Sequence, residues 1–169
     1  ENERVLARVD FNMELDKIVD IQEHFRLDIA KKTIDHIASF PETKIALLTH
    51  FGRPKGKDEK CSVKQILKAV ERALNRTVIF VPDCIGTSVE LALADLPTNA
   101  VLLLENVRFY PEEETNDVKF AQTLAKPFSI FINEAFSVCH RAHASIIGIP
   151  QILPSYAGFR MLKEIEQLQ

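Results

Sequence analysis

AVLLLEN (100–106) is a run of five apolar residues closed by a glutamate and an asparagine. No polar residue interrupts it. A strand with one wet face alternates apolar and polar positions, whereas a strand covered on both faces does not. At this length the run is too short for a buried helix, and it reads as a strand in the interior of a parallel sheet. Four further stretches share its near-continuous character: VLARVDF (5–11), KIALLTH (44–50), TVIFVP (77–82) and FSIFINE (128–134).

Segments of helical period separate these runs. In RLDIAKKTIDHIASF (26–40) Leu27, Ala30, Ile34 and Ile37 fall on one stripe. In SVKQILKAVERALN (62–75) the stripe is Val63, Ile66, Leu67, Val70 and Leu74, with Ser62 and Gln65 spaced as a capping box. Thr87 and Glu90 have the same spacing before VELALADL (89–96), and Asn116 stands where it would cap DVKFAQTLA (117–125). A β-α-β alternation with connections of this length implies right-handed crossovers. The fold expected is a three-layer α/β/α, doubly wound, Rossmann-like parallel sheet in one domain over residues 1–153. The stretch AGFRMLKEIEQLQ (157–169) is a last helix, either a cap on that core or a connector to something further.

Composition excludes several classes of function. The chain has 169 residues, 46% hydrophobic and 27% charged, with a formal net charge of −3. These values belong to an ordinary globular domain, and no Lys/Arg stripe offers a nucleic-acid backbone a footprint. Cys61, Cys84 and Cys139 are odd in number and widely spaced, which suggests neither a disulfide framework nor a zinc site and points to a reducing, cytoplasmic setting. No apolar run approaches a membrane span, and ENERVLARVDF has no signal-peptide character.

Ligands of doubly wound sheets bind beyond the carboxyl ends of the strands. There this sequence places Arg8, Asp10 and Asn12 after the first run, and His50, Arg53 and Lys55 after the second. After the fourth come Glu105, Asn106 and Arg108, and after the fifth His140, Arg141 and His143. Singly, each has an ordinary reading: Arg8 pairs with Asp10 or another carboxylate, Gly52-Arg53-Pro54 is a turn, His143 bonds locally, and Glu112 to Glu114 is an exposed acidic face. Jointly, guanidinium groups from four strand ends would repel one another unless an anion sat among them. Arginine suits that task because its planar fork binds phosphate or carboxylate oxygens in pairs. Neither G-x-x-x-x-G-K-[ST] nor G-x-G-x-x-G occurs, so a small phosphorylated metabolite fits better than a nucleotide. No G-x-S-x-G elbow is present, and Cys139 with His140 makes a poor nucleophile pair because neighbours on an extended segment point apart.

RVDFN (8–12), THFGRPKGK (49–57), PDCIG (82–86), LLLENVRF (102–109) and CHRAHAS (139–145), in that order, resemble the N-terminal domain of the phosphoglycerate kinase family. LPSYAGFRMLKEIEQL (153–168) resembles the helix that connects that family's two domains, which makes 154–169 an interdomain connector. The resemblance covers essentially the whole chain. It implies phosphoryl transfer between ATP and 3-phosphoglycerate, giving ADP and 1,3-bisphosphoglycerate. It implies that Arg53, Arg108 and Arg141 grip the 3-phosphate and that Asp10, Asn12 and His50 position the glycerate end. Arg26 resembles the catalytic arginine near the transferring phosphoryl group, with Arg8 and His140 as supporting members. Mg-ATP or Mg-ADP belongs to a C-terminal nucleotide domain expected beyond Gln169. The full-length enzyme is expected to be a cytoplasmic monomer, and this chain alone inactive as a kinase.

The sequence departs from the family pattern at three places. Met13-Glu14 follows RVDFN where a small residue and proline are usual. KIVDIQEHFRL (17–27) lacks the usual Asp-Gly before the arginine. Glu134-Ala135-Phe136-Ser137 stands for DAFG. The Met13-Glu14 and Ser137 changes keep a second reading open, a stand-alone module that binds a phosphorylated metabolite without catalysis. Because fold alone does not fix function, a different phosphate-metabolite enzyme on the same scaffold is a third.

Overall fold

The structure is a computed structural model that describes residues 3–12 and 21–168, with side chains described from Leu27 onward in the second stretch. Its centre is a six-stranded sheet, all of whose pairings are parallel: β1 (Arg4–Arg8), β2 (Lys44–Leu48), β3 (Val78–Val81), β4 (Val101–Leu104), β5 (Ile130–Asn133) and β6 (Ser155–Ala157). The strand order is β3-β4-β2-β1-β5-β6. Register places Val5 beside Ile45 and Ile130, and Arg8 beside Leu48 and Asn133. All five expected strands are present. The sixth forms where SYA (155–157) pairs along β5, directly after the expected boundary at 153/154.

Each face of the sheet carries its own helices. Val5, Ala7, Ile45, Leu47, Leu103 and Val101 pack under α1 (Ile21–Ala38) and α2 (Leu67–Leu74). Their strand neighbours Leu6, Ala46, Leu48, Leu102 and Leu104 pack under α3 (Thr87–Ala94) and α5 (Val118–Ala125). Successive strand residues point to opposite faces, so covering both faces requires the unbroken apolar runs seen in the sequence. A one-turn helix, α4 (Pro111–Glu114), links β4 to α5.

The helix ends differ in detail from the expected caps. Ser62 accepts the Lys64 N–H at 3.2 Å, but Gln65 turns its amide to the Glu59 carbonyl, so only half of the capping box forms. Gly86, at φ 83°, precedes α3, and Thr87 makes no cap bond. Asp117, not Asn116, caps α5 by accepting the Phe120 N–H at 2.8 Å, while Asn116 takes φ 52° in the turn before it. A carboxylate one residue closer to the helix reaches the orphan N–H groups better than the residue that must make the turn.

The terminal helix α6 (Phe159–Gln167) packs against α1 and is tied to the sheet by its first turn. Glu134 Oε1, at the end of β5, accepts the Arg160 N–H at 3.1 Å and the Thr33 hydroxyl at 3.0 Å. Thr33 Oγ1 in turn accepts the Phe159 N–H at 3.0 Å. Side chains of β5 and α1 thus satisfy two N–H groups that a helix start leaves unpaired. Gly158 is required here, since a Cβ would stand 1.6 Å from Glu134 Oε2. That oxygen is buried without a hydrogen-bond partner, and burial pushes the Glu134 carboxyl up to about 7, against the pull of its two donors and the Arg160 charge. Along the rest of α6 Leu162 and Ile165 stay exposed, as does Leu168 at its C-cap.

Candidate functional site

β1 occupies the middle of the sheet, and chain order reverses on its two sides, which is where doubly wound folds open a crevice. The loops after β1, β2, β4 and β5 meet there. Asp10, Asn12, His50, Arg53, Arg108, Ser137, Val138 and Arg141 line a pocket of about 220 Å³. That is smaller than the roughly 300–1,000 Å³ of a drug-sized site and suits a compact metabolite. A larger groove of about 640 Å³ runs between α1 and the β5–β6 edge, but its wall is mainly apolar, with Ile132, Phe40, Tyr156 and Phe159, and among the described residues no guanidinium groups converge on it.

Backbone geometry and buried amides set these loops. Gly52 adopts φ 66°, and a Cβ there would meet Cys61 Sγ at 2.9 Å, so the turn after β2 demands glycine. Its N–H donates to Asn12 Oδ1 at 2.8 Å, and its carbonyl accepts Arg108 Nη1 at 3.2 Å, which joins three strand ends at one residue. Asn106, fully buried, does the same from β4. Its Oδ1 accepts the Phe51 and Arg108 N–H groups at 3.2 and 3.1 Å, and its Nδ2 donates to the Phe51 and Cys61 carbonyls at 2.7 and 2.8 Å. Glu105 beside it accepts the Ser62 hydroxyl at 2.6 Å and the Val63 N–H at 2.9 Å. Across the pocket Ser137 Oγ donates to Asp10 Oδ2 at 2.6 Å.

Three guanidinium groups face one another over this floor. Arg108 is buried, yet its Nε has no hydrogen-bond partner and stands 3.6 Å from Glu114 Oε1. Burial and then Arg141 pull its pKa down, opposed by Glu114. Among the described residues no ion pair or hydrogen bond engages the side chain of Arg53 or Arg141. His50 adds no charge: burial, then Arg8 and Arg108, lower its pKa to about 2. The pocket therefore combines three permanent cations, a neutral imidazole and the Asp10 carboxylate. An unpartnered buried donor on a cation is costly, and a multivalent anion in the pocket would relieve that cost.

The sequence expectations fare differently one by one. Asp10, Asn12, His50, Arg53, Arg108 and Arg141 meet around the pocket. Arg8 lies beneath it, fully buried, and its hydrogen bonds run to Ser145 Oγ, the Val9 carbonyl and His50 Nδ1 instead of directly to a carboxylate. His140 is exposed and is not part of the pocket wall. Arg26 belongs to the backbone of α1, and its side chain lies outside the described residues, as do Met13 and Glu14 altogether.

Comparison with known proteins decides the family. The sequence pattern of the family described as phosphoglycerate kinase matches residues 1–169. The chain belongs to the phosphoglycerate kinase family. It is 46% identical over 168 residues to a phosphoglycerate kinase of Coprothermobacter proteolyticus and 47% identical over 169 residues to one of Bartonella tribocorum. The match covers 99% and 98% of this chain but 42% of each relative, so the chain spans well under half their length. A crystal structure of phosphoglycerate kinase from Pyrococcus horikoshii OT3 superimposes with a TM-score of 0.84 at 29% identity, over 99% of this chain and 42% of that one. The structure from Coxiella burnetii gives 0.76 at 28% identity with the same coverage.

Within this phosphoglycerate kinase domain two residues escaped the sequence reading. Glu113 was expected on an exposed acidic face with Glu112 and Glu114. Its neighbours are exposed, but Glu113 is 0% exposed and accepts the Ser145 N–H at 2.8 Å and the Ser145 hydroxyl at 2.5 Å. In a single helical turn only one of three consecutive residues faces inward, and three identical letters do not say which. Ser145 is buried beneath the cations and not in the loop that flanks them. A small polar residue in CHRAHAS carries no signal of that depth.

Proposed function

We propose that the chain is the phosphoglycerate-binding half of a phosphoglycerate kinase. The reaction is reversible phosphoryl transfer between ATP and 3-phosphoglycerate, giving ADP and 1,3-bisphosphoglycerate, as in glycolysis and gluconeogenesis. The observation that carries this reading is the convergence of Arg53, Arg108 and Arg141, from three different loops, on one small pocket. In this reading the three forks hold the 3-phosphate, and Asp10, Asn12 and His50 orient the glycerate end. Arg26 is the residue assigned to the transferring phosphoryl group, where a cation lowers the barrier if it meets the loose transition state better than the ground state. Arg8 and His140 support the site from below and from its rim. The Mg-nucleotide is held by a further domain, and the connector 154–169, which includes α6, joins it to the substrate domain of 1–153. Closure of the two would exclude water and strengthen every charge contact in the pocket. The chain on its own then binds substrate without turning it over, and the full-length protein works as a cytoplasmic monomer.

A calorimetric titration of the chain with 3-phosphoglycerate at low ionic strength tests the reading. Saturable binding that Arg141→Ala weakens by about 10- to 100-fold, the worth of one or two charge-assisted hydrogen bonds, is the expected result. Absence of binding in a chain that remains folded by circular dichroism refutes it. One observation favours the second reading, a binding module without catalysis: Ser137, standing where the family pattern has glycine, engages Asp10 inside the pocket. Ser137→Gly separates the two, because tighter binding of 3-phosphoglycerate supports the module and unchanged binding supports the kinase half.

A further inference from the structure

Beneath the pocket four side chains form a continuous path from the end of β1 to α4. Glu113 Oε1 accepts the Ser145 hydroxyl at 2.5 Å, and Ser145 Oγ accepts Arg8 Nε at 3.0 Å. Arg8 Nη2 stands 3.0 Å from His50 Nδ1. Glu113, Ser145 and Arg8 are each 0% exposed, and His50 is 3% exposed. The chemistry of each group removes the ambiguity at the end of the path. A guanidinium only donates, so His50 Nδ1 must accept, and a neutral ring that accepts at Nδ1 carries its hydrogen on Nε2. A hydroxyl has one hydrogen, and Ser145 gives it to the carboxylate, which leaves its lone pairs for Arg8.

We propose that Glu113 and Ser145 are positioning residues that hold Arg8 in the orientation fixing His50 as the neutral Nε2–H tautomer, so that His50 meets the ligand only as a hydrogen-bond donor. This inference deepens the reading of the site as a phosphoglycerate pocket and rests on it for the identity of the ligand. Its basis in charge is the buried pair at the other end of the path. A fully buried guanidinium and a fully buried carboxylate compensate each other through one shared hydroxyl, which neither could do alone at this depth. Arg8 must therefore remain where Ser145 places it, and the position of Arg8 dictates which nitrogen of His50 is bare.

The surroundings agree. Burial, Arg8, Arg108, His143 and Arg141 all disfavour a charge on His50, and burial lowers the pKa of His143 against the opposing pull of Glu113. His143 Nδ1 stands 3.7 Å from Glu113 Oε1, beyond hydrogen-bond distance, so it does not displace Ser145 from that oxygen. The consequence is specificity. Three arginines attract any small polyanion, but a fixed N–H donor among them requires an acceptor oxygen at one defined place. A ligand group that can only donate is refused there, because it would leave two donors opposed.

Two-bond nitrogen–proton correlation spectra of the histidine-labelled chain read the tautomer directly. The expected result is a His50 ring with Nε2 protonated and Nδ1 bare from about pH 6 to about pH 8, where an ordinary histidine titrates. Ser145→Ala and Glu113→Gln are each expected to move the Nδ1 resonance toward the average of the two tautomers. Each is also expected to weaken 3-phosphoglycerate binding about tenfold, the effect of one lost buried partner. An imidazolium or an Nδ1–H ring in the unmodified chain overturns the proposal. So do variants that bind weakly while the His50 resonances stay in place, which is what a purely structural network would give. If Glu113→Gln does not fold, Ser145→Ala, which removes one oxygen, carries the test. Tautomer shifts as expected in a chain that binds no 3-phosphoglycerate leave the positioning role intact and reject the assignment of the ligand.

Discussion

Glu134 offers a measurement that isolates one buried group. Its carboxyl is 2% exposed, and burial raises its pKa from 4.5 to about 7. Between those values the folded chain keeps a proton that the unfolded chain has released. Stability then falls as pH rises through that window, with no penalty below about pH 4.5 and the full penalty above about pH 7. At 1.36 kcal/mol per pH unit the full penalty is about 3 kcal/mol, of which about 2.5 kcal/mol accrues between pH 5 and pH 8. Glu134→Gln keeps an oxygen for Thr33 and the Arg160 N–H but never ionises. Urea unfolding of both chains at pH 5 and pH 8 gives the difference in their stabilities at each pH. That difference should shift in favour of the glutamine variant by about 2.5 kcal/mol from pH 5 to pH 8, which for a chain of this size is roughly 5–10 °C in Tm. Every other titrating group cancels in the comparison. A difference that stays constant with pH, or that moves the other way, would refute the assignment of Glu134 as a buried acid at the start of α6.

Other perturbations follow from the same contacts. Asn106→Ala removes the partner of four backbone groups and is expected to cost about 3 kcal/mol in urea unfolding, while also weakening 3-phosphoglycerate binding through the loosened loops after β2 and β4. Gly158→Ala drives a methyl into the Glu134 carboxylate and is expected to cost more than about 3 kcal/mol, but less than about 1 kcal/mol in a Glu134→Ala background. Arg108→Lys keeps the charge and loses the fork, and calorimetry is expected to show about tenfold weaker 3-phosphoglycerate binding with stability nearly unchanged.

The order of strands and helices was legible in the sequence because local chemistry imposes it. A strand covered on both faces has no polar alternation, and helices that cover a sheet need a stripe of period 3.6, so AVLLLEN and the stripe from Leu27 to Ile37 declare their roles without tertiary information. The residues that meet at the pocket were legible too, since parallel strands deliver their following loops to the same edge. Arg53, Arg108 and Arg141 each follow a strand, and that placement brings them together. Where several residues of similar type compete for one place, the chain is silent. Asp117 outcompetes Asn116 for the cap of α5 by lying one position nearer the helix, and SYA becomes a sixth strand because β5 offers it an open edge.

Depth and direction are the properties that sequence does not encode. Glu113 among three glutamates, Ser145 within CHRAHAS and Glu134 at the end of FSIFINE are ordinary letters. Their roles follow from contacts with residues more than 30 positions away: Ser145 for Glu113, Arg8 for Ser145, and Thr33 for Glu134. A charged side chain acquires a special ionisation state or a fixed hydrogen-bond direction only when distant parts of the fold remove it from water and supply specific partners. Local sequence specifies which groups reach the edge of the sheet. Packing across the chain settles which of them remain open to a ligand and which are buried to hold the others in place.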